Sequence, residues 1–285
     1  MAEHGRPADQ SRGGVGFVFG LLDAEAVPGP ILVSLMSDLG YPEATTRQLL
    51  ARMLRQGELT RQRVGRLSVY RMAGRYLELW LLMRHGSQRP AWRGYFDVVL
   101  HDVPEQHRRQ REALQTLATR AGFGQLRPGV LVGLRPPDFV AELPAPSGLV
   151  ESGRLDVDLD AARRIAATAW RLSARAEELR EAKVTLQRLL VEVRQTPPDG
   201  AAALPRLFQA VRLASAPHHD SPVMPGELLP RDWPAEQVHE ALGAVIAQLQ
   251  PRVGAYLYEQ LSRSPHAGLI VGGWWKEAAR RASAG

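Results

Sequence analysis

Between Pro30 and Tyr70 the chain reads as a short apolar helix, a break, a second helix and two short extended runs, in that order. The first helix spans Pro30 to Leu39, and Gly40-Tyr41-Pro42 interrupts it. The second runs from about Pro42, a residue suited to a helix's first turn, to Gln56. Leu50, Met53 and Leu54 give it an apolar stripe, and Thr45, Gln48, Arg52 and Arg55 share the opposite face. Gly57 suits the position after a helix where the backbone needs positive φ. From Leu59 to Tyr70, two runs flank a turn at Gly65, with Leu59, Leu67 and Val69 directed inward. This order predicts a winged helix-turn-helix, in which the second helix enters the major groove and the hairpin follows phosphates or the minor groove.

Charge points the same way. Thr45 to Arg75 holds eight arginines (Arg47, Arg52, Arg55, Arg61, Arg63, Arg66, Arg71, Arg75) against the single acid Glu58. That local +7 exceeds the +6 of the whole chain, so everything outside it sums to about −1. A concentrated cationic surface on a near-neutral body is the electrostatic footprint of nucleic-acid binding. The chain has only two lysines, Lys183 and Lys276, so a bias toward arginine explains Arg over Lys. It does not explain the missing acids.

A chain of 285 residues is long enough for about two or three domains. With no cysteine there is no disulfide framework, zinc finger, iron–sulfur site or cysteine nucleophile. No apolar run reaches the length of a membrane span, and the first residues lack the apolar core of a signal peptide. These readings predict a cytoplasmic protein with a disordered tail at residues 1–15.

After the hairpin, Tyr76 to Met83 reads as a connecting helix and Arg84 to Pro90 as a linker. A strand at Tyr95 to Leu100, a helix at Pro104 to Arg120 ending at Gly122-Phe123-Gly124, a strand at Gly129 to Leu134, a short helix at Pro137 to Leu143 and a strand at Leu155 to Leu159 follow. This alternation predicts a small ferredoxin-like α/β domain. Gly122-Phe123-Gly124 follows a helix, so it is not a dinucleotide loop, which must follow a strand.

The remainder is helical. Ile165, Ala169, Leu172, Ala176, Leu179, Leu186, Leu190 and Val193 form a heptad-like seam along a helix of about thirty residues, interrupted at Lys183. The seam fits either a dimer contact or the buried face of an intrachain bundle. Helices at Ala201 to Ala214, Pro234 to Leu249 and Arg252 to Ser262 follow, the last two split or kinked at Pro251, with a loose tail from Ser264.

These residues carry a resemblance. Arg47 to Leu59, Gly65 to Tyr70, Trp92-Arg93-Gly94-Tyr95 and Glu227-Leu228-Leu229-Pro230-Arg231-Asp232-Trp233, in this order and spacing, resemble the PaaX family, bacterial repressors named for the phenylacetic-acid degradation operon. The resemblance implies an α+β, helix-rich chain: a winged helix-turn-helix over residues 16–90, a ferredoxin-like domain over 91–159, a helical effector and dimerisation domain over 160–263, and a tail over 264–285. It implies a homodimer on palindromic operator DNA, released by an acyl-coenzyme A thioester. No cofactor and no enzymatic activity are expected. Two segments depart from the family's pattern: Ala216 to Pro222, where a basic residue and Asp-Pro are expected, and the Pro/Gly-rich insertion Pro144 to Gly153.

For DNA, Gln48 and Arg52 are the candidates for base edges, because Arg can bridge guanine and Gln adenine. Thr45, Arg47, Arg61, Arg63 and Arg66 are candidate phosphate contacts, with Arg55 skirting the backbone. For the thioester, Arg171, Arg175, Arg206 and Arg212 offer cations, and Trp170 and Trp233 offer apolar surface. Two other classes stay open. One is a metal-dependent enzyme around His218-His219-Asp220, although no Gly-x-Ser-x-Gly or His-Glu-x-x-His motif is present. The other is an adaptor that uses the winged helix for protein contacts.

Overall fold

The computed structural model describes residues 7–74, 76–77, 89–143, 148–216 and 222–272. The chain divides into two compact units, one from Met1–Ser87, Leu186–Arg212 and Leu242–Gly285, the other from Gln88–Thr185 and Leu213–Ala241.

In the first unit, α1 (Pro7–Leu22) leads into β1 (Ala24–Pro28), α2 (Gly29–Asp38) and α3 (Glu43–Arg55), followed by the hairpin β2 (Leu59–Val64) and β3 (Leu67–Met72). The strands pair antiparallel in the order β2-β3-β1-β8, where β8 is Val271–Gly272. Residues 7–15 therefore begin a helix rather than a disordered tail. Val15, Val18, Phe19 and Leu22 recur at helical spacing and are fully buried, which is why α1 docks. The tail from Ser264 is likewise anchored as far as Gly272: Ile270 is fully buried and Val271 pairs with Ala26.

The helical segments that share this unit are the end of α6 (Leu172–Gln195), most of α7 (Gly200–Ser215) and most of α8 (Ala235–Arg263). Helix α8 runs through Pro251 instead of splitting there. Pro251 lies on the exposed side, and Val245, Leu249, Val253, Leu257 and Leu261 form an unbroken buried stripe on both sides of it. Burial of that stripe outweighs the hydrogen bond lost at the proline.

In the second unit, β4 (Tyr95–Asp102), β5 (Gly124–Arg127), β6 (Val130–Gly133) and β7 (Leu149–Asp156) form an antiparallel sheet ordered β5-β6-β4-β7. Alternate residues of the central strands serve opposite faces. Val99 and Leu131 pack with Leu114 and Ala118 of α4 (Arg108–Arg120) and with Phe139 of the turn Asp138–Glu142. Phe96, Val98 and Val132 pack with Ala162 and Ala166 of α5 (Leu159–Ala169), Trp170 and Leu228.

Three sequence expectations change here. The strand expected at Leu155–Leu159 lies earlier, at Leu149–Asp156, and takes in part of the supposed insertion. Asp158 instead caps α5, its carboxylate accepting from the Ala161 N–H at 2.7 Å. Strand β5 was not anticipated at all. The thirty-residue helix is two, because Arg171 adopts φ 50 between α5 and α6. The seam itself is covered within the chain: Leu172, Ala176, Leu179, Leu186 and Val193 are all buried. That favours the bundle face over a dimer contact.

Gly124 lets β5 approach the end of α5, since a Cβ there would lie 2.6 Å from the Ala169 carbonyl oxygen. Gly124→Ala is expected to destabilise this unit by about 1–2 kcal/mol, because backbone has to move. Urea denaturation checks it, and an unchanged midpoint contradicts it.

Most of the connecting helix expected at Tyr76 to Met83, most of the linker after it and the His218-His219-Asp220 cluster lie outside the described residues.

Candidate nucleic-acid interface

Helix α3 follows the turn at Gly40-Tyr41-Pro42, with Glu43 in its first turn and Arg52 and Arg55 in its last. Both placements complement the helix dipole. Its buried face is Thr46, Leu49, Leu50 and Met53, at i, i+3, i+4, i+7 spacing. Leu54, expected in the buried stripe, is only half-buried. Thr45, Arg47, Gln48 and Arg55 are exposed, and Arg52 is half-buried. Gly57, at φ 69, turns the chain out of the helix toward β2.

The hairpin closes at Val64↔Leu67, leaving Gly65 and Arg66 as a two-residue turn. Gly65 has φ 60, the sign a type II′ turn requires at its first central position. Strand β2 is the sheet's edge, and Arg61 and Arg63 point to the same face two residues apart. From Thr60 to Arg66 every residue is exposed. An edge strand rich in arginine resists pairing with another strand and presents cations instead.

Ion pairing sorts these arginines. Arg47 pairs with Glu43 at 2.6 Å, both exposed, and Arg71 reaches Glu25 at 3.6 Å. Arg75 lies outside the described residues. Among the described residues, the side chains of Arg52, Arg55, Arg61, Arg63 and Arg66 make no ion pair or hydrogen bond. The one acid of the stretch, Glu58, forms an ion pair with Arg12 of α1, with only 18% of its side chain exposed. The negative charge that would oppose the arginines is thus neutralised from a segment that sequence reasoning had read as a tail. No local pattern links Arg12 to Glu58, 46 residues apart.

The residues considered for a thioester fall in both units. Trp170, Arg171, Arg175 and Trp233 belong to the second unit, and Arg206 and Arg212 to the first. Trp170 is a core residue: its indole N–H donates to the Gly122 carbonyl at 3.1 Å and its ring lies 5.9 Å from Phe96. Arg175 donates to the Trp170 carbonyl at 2.8 Å, and Arg171 is exposed. Arg206 lies 3.7 Å from Glu192, and Arg212 stands over the Phe208 ring at 5.8 Å. Trp233 flanks an open depression of about 380 Å³ in the second unit, shared with Arg89, Arg163, Arg231, Glu227 and Glu236. Here the Glu227 to Trp233 segment also braces the fold. The Trp92 N–H donates to the Glu227 carboxylate at 3.4 Å, Arg163 donates to the Glu227 carbonyl at 2.9 Å, and Asp232 pairs with Arg180 at 2.8 Å.

Among the described residues, no helix is long and apolar enough to cross a membrane, and no three metal-binding side chains converge.

Two family models match the chain: one described as PaaX-like protein, over residues 21–76, and one described as the PaaX protein central Cas2-like domain, over residues 89–142. Among solved structures, the uncharacterized protein Rv0674 of Mycobacterium tuberculosis is 27% identical, with 79% of this chain and 89% of that chain covered and a TM-score of 0.45. Comparison with curated proteins gives no match.

Proposed function

Because the chain belongs to the PaaX-like family, through residues 21–76 and 89–142, we propose that it is a sequence-specific DNA-binding transcriptional regulator. The observation that carries this reading is the set of five arginines on α3 and the β2–β3 hairpin whose side chains are unpaired among the described residues, with Glu58 between the two elements neutralised by Arg12. The element order α2, turn, α3, hairpin, with β1 beside β3, supports a winged helix-turn-helix. In the second unit, the all-antiparallel order β5-β6-β4-β7, with helix α4 connecting β4 to β5, supports a ferredoxin-like domain in which a 3₁₀ turn between β6 and β7 stands where the second helix would be.

In this reading α3 lies in the major groove and the hairpin tracks phosphates. Gln48 and Arg52 read bases, and Thr45, Arg47, Arg55, Arg61, Arg63 and Arg66 contact the backbone. Selecting the duplexes that the full-length protein retains from its own genome tests the assignment. Retention without sequence preference contradicts it. On a selected duplex, Arg52→Ala is expected to weaken binding by about 1–3 kcal/mol and to relax the preference at one base step. A uniform loss over all sequences would make Arg52 a phosphate contact instead.

We further propose a cytoplasmic homodimer that represses a catabolic operon, since a two-fold pair of winged helices reads two half-sites. Light scattering on the full chain tests the dimer. The proposed effector is an acyl-coenzyme A thioester. The depression beside Trp233 offers arginines for phosphates and an indole for an acyl group, which supports a place for it. Titrating a preformed protein–DNA complex with a panel of thioesters, with free coenzyme A and free acids as controls, decides whether a thioester is the releasing ligand.

A further inference from the structure

The turn before α3 is held by side chains that lie some 170 residues or more along the chain, all within the first unit. At its start, Asp38, the last residue of α2, accepts a 2.9 Å hydrogen bond from the Tyr256 hydroxyl on α8. At its centre, the Tyr41 ring packs edge-on against Phe208 of α7, with centroids 6.2 Å apart at 73°. The Tyr41 hydroxyl hydrogen-bonds with Arg212, one turn further along α7. Phe208 rests in turn on Phe17 of α1 at 5.0 Å. The two holding helices are themselves in register through Gly200. A Cβ there would lie 2.8 Å from the Tyr256 Cβ and 3.2 Å from the Arg252 carbonyl oxygen.

Asp38 is an unfavourable residue for a purely structural contact. It sits at the C-terminal end of a helix, where the dipole disfavours a carboxylate. Burial raises its pKa, and the Tyr256 hydrogen bond only partly offsets this. Glu259 adds a further negative charge near Tyr256 and is itself paired with Arg263 at 2.7 Å. An asparagine would accept the same hydrogen bond without carrying charge. The contact is therefore weak on balance and can be broken without dismantling a core.

We propose that Tyr256, Phe208 and Arg212 are positioning residues for DNA reading: acting through Asp38 and Tyr41, they set the angle at which α3 presents Gln48 and Arg52. This rests on the DNA-binding function proposed above. It gives helices α7 and α8 a direct mechanical connection to the recognition helix, through a turn of three residues, Gly40 to Pro42. A shift of either helix then changes how α3 meets a base edge, while the arginines of the hairpin stay free to hold phosphates.

The test compares Tyr256→Phe, which keeps the ring and removes the hydroxyl, with Asp38→Asn, which keeps the acceptor. Two readouts are taken on the full chain. The first is hydrogen exchange of the Gly40, Tyr41 and Thr46 amides, which donate to Ser37, Met36 and Pro42 carbonyls. The second is the affinity ratio between a selected duplex and a scrambled one. Tyr256→Phe is expected to speed exchange at those amides by about fivefold and to lower the affinity ratio by a similar factor, the scale of one lost hydrogen bond. Binding to the scrambled duplex and exchange in β4 stay at wild-type values. Asp38→Asn keeps both readouts at wild type. Unchanged exchange in Tyr256→Phe overturns the proposal even if the protein reads DNA, and so does faster exchange with an unchanged affinity ratio. A wild-type protein that prefers no duplex overturns the DNA-binding function itself, and the exchange result then stands apart from it.

Discussion

Replacing Arg61, Arg63 and Arg66 together with alanine is expected to lower the slope of log affinity against log salt by about three and to weaken binding about a hundred- to a thousandfold near 0.1 M salt. The reason is counterion release: each phosphate neutralised by a cation frees about one condensed counterion, and that entropy is largest when salt is dilute. The three arginines qualify because they are exposed and, among the described residues, unpaired, so none must leave an internal partner to reach DNA. For the same reason their removal changes folding stability by only about 0.5 kcal/mol or less. The loss should be equal for selected and scrambled duplexes. Titration at four or more salt concentrations checks it, and a slope unchanged in the triple variant means that the hairpin does not touch phosphates. Arg47 should matter less, because it already shares its charge with Glu43 at 2.6 Å.

What could be read from sequence follows from how local each feature is. Helices α2 and α3 and the hairpin were legible because their signals lie within a few residues: apolar positions at helical spacing, Gly57 and Gly65 at positive φ, and an alternating run on each side of the turn. Strands β1 and β8 were not legible, since each is short and becomes a strand only by pairing with residues that lie far along the chain. The break at Arg171 was hidden because a positive φ in arginine has no sequence signature, whereas the periodicity on either side continues almost undisturbed. At Asp158 a helix cap lies inside the run Leu155 to Leu159, whose alternating apolar residues also fit a strand. The same division holds for the interface. The arginines could be counted, and their face on α3 inferred from period. Their electrostatic isolation could not, because it depends on Arg12 reaching Glu58.

That pair sets the second large effect. Arg12→Ala is expected to destabilise the protein by about 2–3 kcal/mol, below the full value for a buried pair because 31% of the arginine side chain and 18% of the glutamate remain exposed. The loss exceeds that of an ordinary surface pair because Glu58 would be left half-desolvated without its cation. Arg12 is also fixed at its backbone, where the Tyr76 hydroxyl donates to its carbonyl at 2.7 Å. Burial pushes the Tyr76 hydroxyl well above its ordinary pKa, so it remains a donor at any working pH. The Arg12 guanidinium further lies 5.9 Å from the Tyr76 ring centroid, a distance compatible with cation–π attraction. If the cost is the uncompensated carboxylate, then Glu58→Gln added to Arg12→Ala recovers most of the stability, although neither variant restores the ion pair. If instead Arg12 acts by packing alone, the double variant is as unstable as the single one. Urea denaturation of the four proteins in that cycle separates the two. A functional consequence accompanies it. Arg12→Ala returns a net negative charge three residues beyond Arg55, so DNA affinity at low salt should fall in the single variant and recover in the double one.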